Sequence, residues 1–343
     1  MEENNKSLIS ANNSLAKIEK QIAIGDKILE KANQSFILLI SKDFLFQIIS
    51  LNDYKNLTAN LILNKKTKNI FIENLITIEL VTRTSKIIFF TKFGKYFSTS
   101  IDKILKIKDL NDLFNIEIQD ELLDVILIDE KTNNIENKFL IFATRNGFVK
   151  STIISLYCNE SLTNDIAIRL KENDSLINVK IADYFDDQIV IGSKHGKLVR
   201  FSVYKIRPLS KNTYGYIGLK LEEENNIVIG LSIIDSFDDC IFIITEKGKI
   251  KKSSIDEYRI TNRGGQGVKT ANITNNTGFM SHLKTAKYKD ICLIITNLNN
   301  MIVFEMFNVK MVGRASEAIK IIKLIENEQI HTIVKLPNIN QFS

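Results

Sequence analysis

Residues 240–270 read CIFIITEKGKIKKSSIDEYRITNRGGQGVKT, and the order of residue types in them decides the fold. Cys240 to Ile244 is an apolar run, and Thr245-Glu246-Lys247-Gly248 is a tight turn. Next comes a return strand carrying Lys249, Lys251 and Lys252. Arg263-Gly264-Gly265-Gln266-Gly267 then adds a glycine-rich basic loop. Hydrophobic strand, turn, cationic strand and basic loop form one structural unit with a phosphate-facing edge.

The rest of the chain repeats this unit. An apolar run ends in Ser or Thr, and three residues later comes Gly or a substitute. The runs are Phe36–Ser41 with Phe44, Ile87–Thr91 with Gly94, and Phe139–Thr144 with Gly147. They continue as Ile189–Ser193 with Gly196, Ile241–Thr245 with Gly248, and Ile291–Thr296 with Asn299. Successive anchors are 50, 53, 49, 52 and 51 residues apart, an even spacing that marks an internal repeat of six copies. Each repeat has room for about four short strands. The later apolar segments Ile166–Leu170 with Leu176–Ile181, and Ile217–Leu221 with Ile227–Ile234, supply the second half of two of them. No single unit buries both faces of its small sheet, whereas stacking six around an axis does and leaves only short edges exposed. The fold expected is therefore an all-β disc of four-stranded blades. Glycine at the turn follows from backbone need, since φ > 0 costs it nothing, and Asn299 is the mildest substitute.

Composition sets the frame. At 343 residues, 44% hydrophobic and 25% charged, the chain carries a large soluble-type core. A net charge of +6 points mildly to an acidic partner. Cys158, Cys240 and Cys292 form no CxxC pair, which suits a reducing compartment and small apolar strand positions. No apolar run reaches the roughly 18 residues of a membrane span, and the first residues lack the pattern of a secretory signal. A cytoplasmic protein without a membrane partner is expected. Residues 1–33 read as a polar tail and a short amphipathic helix, with Leu15, Ile18, Ile22, Ile28 and Leu29 near helical spacing behind Ser14.

Charge is uneven. Residues 109–130 hold eight acids and no Lys or Arg, while residues 188–270 hold 14 Lys and Arg against nine Asp and Glu. The basic side chains fall around the turn and return strand: Lys194, Lys197 and Arg200 in copy four, Lys247, Lys249, Lys251 and Lys252 in copy five. Arg145 and Lys150 extend the row into copy three, and Arg263 and Lys269 flank the glycine loop. Any single lysine reads as an ordinary solvated residue, but recurrence at one place in successive repeats reads as a curved cationic edge. Catalytic chemistry is not assembled. His195, His282 and His331 stand apart, no GxSxG or Walker A loop occurs, and Asp183, Asp186 and Asp187 sit at a repeat boundary.

At Tyr258 to Gly267 the chain resembles the C-terminal domain of the bacterial DNA gyrase A protein and of the ParC protein of topoisomerase IV. The resemblance spans roughly residues 34–337. Its most specific stretches are IVIGSKHGKLVRF (189–201) with KNTYGYIGLKL (211–221), and IFIITEKGKIKKS (241–253) with DEYRITNRGGQGVK (256–269). Val312-Gly313-Arg314 matches the loop after the outer strand. The resemblance implies a six-bladed β-pinwheel over 34–337, with tails at 1–33 and 338–343, that wraps double-stranded DNA around a basic perimeter. It implies a non-catalytic accessory domain of an ATP-dependent type II topoisomerase near the nucleoid, partnered by that enzyme's breakage–reunion domain and ATPase subunit, with no cofactor. DNA contacts would fall on Arg145, Lys150, Lys194, Lys197, Arg200, Lys247, Lys249, Lys251, Lys252, Arg263, Gly264, Gly265, Gly267 and Lys269. The family's gyrase box, Gln-(Arg/Lys)-Arg-Gly-Gly-(Arg/Lys)-Gly, belongs to the first blade. There this chain has Asn52 to Asn60 without glycine or arginine, and Thr261 to Gly267 in copy five keeps one of three basic positions. That departure implies reduced supercoiling capacity. The acidic stretch 109–130 should repel a duplex and shorten its path. A protein-binding propeller scaffold is the other reading that the repeats allow.

Overall fold

All six Ser/Thr-x-x-Gly segments fold as hairpins, and the turn residue of each has positive φ: Phe44 62°, Gly94 78°, Gly147 88°, Gly196 83°, Gly248 70° and Asn299 59°. The hydroxyl three residues earlier explains the recurrent Ser or Thr. Ser41, Thr91, Thr144, Ser193, Thr245 and Thr296 each accept, at 3.2–3.3 Å, from the backbone N–H four residues on. This closes the turn from inside and spares a buried hydroxyl the cost of standing unpaired. The computed structural model describes residues 35–62, 74–114, 116–117, 119–128, 135–235, 240–320 and 322–338. The helix expected over Ser14 to Lys31 lies outside them.

Each hairpin is the middle of a sheet. The hairpins are β1 (Phe36–Ser41) with β2 (Phe46–Ile49), β4 (Lys86–Thr91) with β5 (Lys95–Ser100), and β7 (Lys138–Thr144) with β8 (Phe148–Ile153). The other three are β11 (Gln188–Ser193) with β12 (Lys197–Ser202), β15 (Cys240–Thr245) with β16 (Lys249–Ser254), and β19 (Ile291–Thr296) with β20 (Met301–Glu305). An inner strand from the same repeat pairs antiparallel with the first strand of each: β3 (Leu75–Val81), β6 (Leu122–Ile128), β10 (Leu176–Asp183), β14 (Val228–Ile234), β18 (Met280–Ala286) and β22 (Ile330–Lys335). The fourth, outer strand comes from the following repeat. Thus β9 (Ser161–Ile166) pairs with β5, β13 (Tyr216–Ile217) with β8, β17 (Val268–Lys269) with β12, and β21 (Ile319–Lys320) with β16. From the second blade to the sixth, neighbours are stitched by exchanged chain as well as by packing.

The exchange accounts for the turn glycines more fully than their φ does. In the four central blades the incoming segment passes over the turn, and the Gly94, Gly147, Gly196 and Gly248 carbonyls accept its N–H groups. A Cβ on Gly94 would lie 2.6 Å from the Ile168 carbonyl oxygen, and one on Gly196 2.9 Å from that of Ala271. The first and last sheets have only three strands among the described residues. No described segment crosses their turns, which is why Phe44 and Asn299 fit there. The expectation of four-stranded blades throughout is corrected at these two ends.

Six clusters of buried side chains lie one between each pair of neighbouring sheets. The fifth joins Ile37 and Leu39 of β1 to Leu293 and Ile295 of β19, so the ring closes between last blade and first. With a neighbour on both faces, a middle strand such as β1 or β15 is buried along its whole length and shows no alternation. The helix α1 (Leu51–Ile62) lies against β20 at this seam, where an outer strand would stand in a central blade. Ser50 caps it by accepting from Asp53 N–H at 3.0 Å. Its buried face holds Tyr54, whose hydroxyl donates to the Pro337 carbonyl at 3.1 Å, and Leu61. The segment expected to hold a first-blade box is therefore helix.

Candidate nucleic-acid interface

In repeats three to six the chain makes one short helical turn after the return strand and crosses to the preceding blade, so these crossover segments form the perimeter. In the last three repeats they run 203–217, 255–269 and 306–320. Basic side chains recur on them at two registers. Lys211, Arg263 and Arg314 take one. Lys211 donates to the Tyr96 hydroxyl at 2.7 Å. Arg263 lies over the Tyr216 ring at 4.5 Å and donates to the Lys205 and Ile217 carbonyls, both at 3.2 Å. Arg314 donates to the Lys269 carbonyl at 2.8 Å. Arg263 and Arg314 each fasten their crossover to the one before, and Lys211 ties its crossover to β5. Arg207, Arg259 and Lys310 take the other register, four residues earlier, and all three are exposed.

The exposed register was missed in the sequence. The 52-residue step back from Arg263 and Arg259, which lands on Lys211 and Arg207, is the signal that finds it. The glycine loop lies against Arg200, Tyr258 and Arg259 around a groove of about 500 Å³. Gly264 donates its N–H to the Gly218 carbonyl at 2.7 Å, and a Cβ on Gly267 would meet the Leu198 carbonyl oxygen at 2.6 Å. Those two glycines serve the crossing of chains. Gly265 is exposed, and the nearest atom to an added Cβ there would be 3.9 Å away, so packing does not require glycine at that position.

Four of the basic residues expected on this surface are buried or committed to the fold. Lys150 is fully buried, donates to the Ala167 carbonyl at 2.6 Å, and burial pushes its ammonium down to about 7. Lys251, at the same register two repeats on, is buried too; it donates to the Gly313, Arg314 and Ser316 carbonyls, and burial lowers it to about 8. Lys252 is buried and donates to the Met306 carbonyl at 2.7 Å. Arg200 bonds the Ile255 and Tyr258 carbonyls at 2.7 and 3.0 Å and Gln188 at 2.7 Å. Lys251, Lys252 and Arg200 pin the incoming crossover by its carbonyls and Lys150 pins its own repeat's crossover, which is incompatible with reaching an external phosphate.

The remainder divide by environment. Arg145, Lys247 and Lys269 are exposed. Lys197 pairs with Glu223 at 3.6 Å, Lys249 with Glu317 at 2.9 Å, and Lys194 stands 3.8 Å from Glu246 and 4.7 Å from the Phe279 ring centre. His195 pairs with Glu223 and stacks on Phe279. In blade two the acidic stretch neutralises its own lysines, through Lys92 with Glu121 at 3.3 Å and Lys95 with Glu117. Among the described residues no cluster of three potential metal ligands occurs, and no helix is long and apolar enough to cross a membrane.

A ring of six small antiparallel sheets, the central four completed by chain from the next repeat, is a β-pinwheel. Residues 85–108, 166–183, 187–235 and 241–287 match the family model described as the DNA gyrase C-terminal domain, beta-propeller. The DNA gyrase A protein of Staphylococcus epidermidis (strain ATCC 12228 / FDA PCI 1200) is 30% identical over 271 residues, 78% of this chain and 30% of that protein. The chain thus spans about three-tenths of the length of the curated relatives it matches. Among solved structures, a C-terminal domain of DNA topoisomerase IV superposes with a TM-score of 0.72 at 20% identity, covering 89% of this chain and 94% of that one. A DNA gyrase A C-terminal domain gives 0.71 at 16% identity, covering 89% and 100%. The chain belongs to the family of gyrase A and ParC C-terminal domains.

Proposed function

We propose that this disc binds double-stranded DNA without reading its sequence and bends it along the perimeter of the later blades, as a non-catalytic part of an ATP-dependent type II topoisomerase. The observation that carries the reading is the recurrence of exposed Arg207, Arg259 and Lys310 at one register on three successive crossovers. Backbone charge dominates such affinity and carries no base information, so evenly spaced cations on a rigid curve suffice. Arg145, Lys194, Lys197, Lys247, Lys249 and Lys269 are the further contacts proposed, and Gly265 gives room for a close approach. Bending tens of base pairs costs several kcal/mol, which phosphate contacts along the arc offset. Residues 34–337 form the DNA-binding domain in this reading, and the breakage–reunion domain and ATPase subunit of the same enzyme are its partners. With a helix over Leu51–Ile62 where the family's box is expected, wrapping and supercoiling are weaker than in a gyrase that keeps the box.

Gel-shift titration at several salt concentrations tests this. Neutralising about six phosphates gives a log–log salt slope of roughly −5, and reversing Arg207, Arg259 and Lys310 to Glu flattens it by about three. A slope near zero, or retention unchanged in the triple variant, refutes it. Relaxing a DNA circle with topoisomerase I in the protein's presence reports how much it wraps; a shift equal to that of a box-bearing domain would contradict the weaker wrap. A protein-docking role draws on a separate observation: Phe185, Tyr204, Tyr288 and Phe307 are exposed on the loops and short turns away from the Ser/Thr-x-x-Gly turns.

A further inference from the structure

We propose that the cavity between the inner strands binds a small tetrahedral oxyanion of the phosphate or sulfate class. A cavity of about 290 Å³ lies between the inner strands, where β6, β10, β14, β18 and β22 converge. Its acids are already engaged. Asp124 accepts from Lys180 Nζ at 2.7 Å and Val179 N–H at 3.0 Å, and Glu121 pairs with Lys92 at 3.3 Å. Glu79 stands in electrostatic reach on β3, but Thr77 donates to it at 2.6 Å and burial pushes its carboxyl up toward the neutral form.

The other cation-forming groups of the same wall make no ion pair among the described residues, although Asp124 and Glu79 lie in electrostatic reach of Lys284, and Asp43 and Glu121 of His331. Lys284, on β18, makes no hydrogen bond and no ion pair among the described residues. Lys42 lines the same cavity beside His331, and His282 stands on the strand next to it. The cost is visible in all three enclosed groups. Burial and the Lys180 charge lower Lys284 to about 8, burial and Lys284 lower His282 to about 4, and burial with Lys42 lowers His331. Lys284 brings positive charge to one enclosed space whose lining carboxylates are engaged, and His282 and His331, neutral near pH 7, add ring N–H donors from two neighbouring blades, a set that an anion would complement. A tetrahedral oxyanion supplies it with acceptors in several directions, where chloride offers none that is directional.

Calorimetric titration of sodium phosphate and, separately, sodium sulfate into the whole chain, at constant ionic strength held with sodium chloride, tests the site. One saturable site is expected, weakened at least about tenfold by Lys284→Met, which removes a charge-assisted donor, and unaffected by Arg259→Ala. Binding should also raise the titration midpoints of His282 and His331, read from ring resonances in the unaltered protein. That readout stands if the Lys284 variant does not fold. Three results each overturn the proposal: no saturable binding, binding that survives Lys284→Met, or bound anion with both histidines unmoved. Loss of binding in Arg259→Ala overturns it too, by placing the anion on the rim. The site is independent of DNA binding, and neither result bears on the other.

Discussion

Replacing Gly94 with Ala isolates what the strand exchange demands of a turn. Two terms add. An L side chain at φ 78° costs about 1–2 kcal/mol. The added Cβ would also stand 2.6 Å from the Ile168 carbonyl oxygen, with the Ile168 Cγ2 at 3.1 Å, so the incoming chain must retreat. Retreat stretches the Ala167 and Ile168 N–H bonds to the Gly94 carbonyl, now 2.9 and 3.2 Å, each worth about 1 kcal/mol net. The expected loss is about 3 kcal/mol. Asn299→Ala is the matched control, because φ is 59° there but no described strand crosses; it should cost less than about 1 kcal/mol. In urea, with an m-value of about 3 kcal/mol/M for a chain of this size, Gly94→Ala lowers the midpoint by about 1 M and Asn299→Ala by a few tenths. Equal shifts in the two variants would refute the crossing as the reason for glycine.

Lys251→Met should cost about 1–3 kcal/mol, since three carbonyls lose their donor, while the folded variant retains DNA as the unaltered protein does; a selective loss in gel shifts would return Lys251 to the interface. Lys150 has a folded pKa of about 7 against an ordinary 10.5, so the unfolded chain holds a proton that the folded one releases. Stability therefore rises with pH between about 7 and 10, and Lys150→Met flattens that rise; parallel urea midpoints from pH 7 to 9 in both proteins would exclude the effect. Tyr54→Ala should open the seam between last and first blades at a cost of about 3–5 kcal/mol, and Tyr54→Phe about 1. Thermal melting separates them, and equal melting would show that the Pro337 bond, not ring packing, holds the helix.

What was legible was local and periodic. The six hairpins could be placed because the Ser/Thr hydroxyl and the positive-φ residue both act within a few positions along the chain. The exchange was not legible, since β13 and β17 are two residues each and leave almost no hydrophobic signature. Phe44 and Asn299 read only as substitutes for the turn glycine, although the lack of a fourth strand among the described residues explains them. The site suffered from the same blindness. Lys150, Lys251 and Lys252 look solvated in a strand with polar neighbours, and only crossovers packed over them, its own repeat's for Lys150 and the next repeat's for the other two, engage them. Arg207 and Arg259 follow the short helical turn, where no motif drew attention, yet they are the ones left facing solvent.

Exchange of the outer strand puts the unit of sequence and the unit of architecture out of phase. A deletion cut at the boundaries of one repeat would strip the preceding blade of its fourth strand. Once the cut ends rejoin, the following repeat offers a replacement, so a five-membered ring could regain every internal pairing. The helix at the junction of last and first blades sits outside that cycle. It makes the junction a place where ring size is decided by side-chain fit instead of strand exchange.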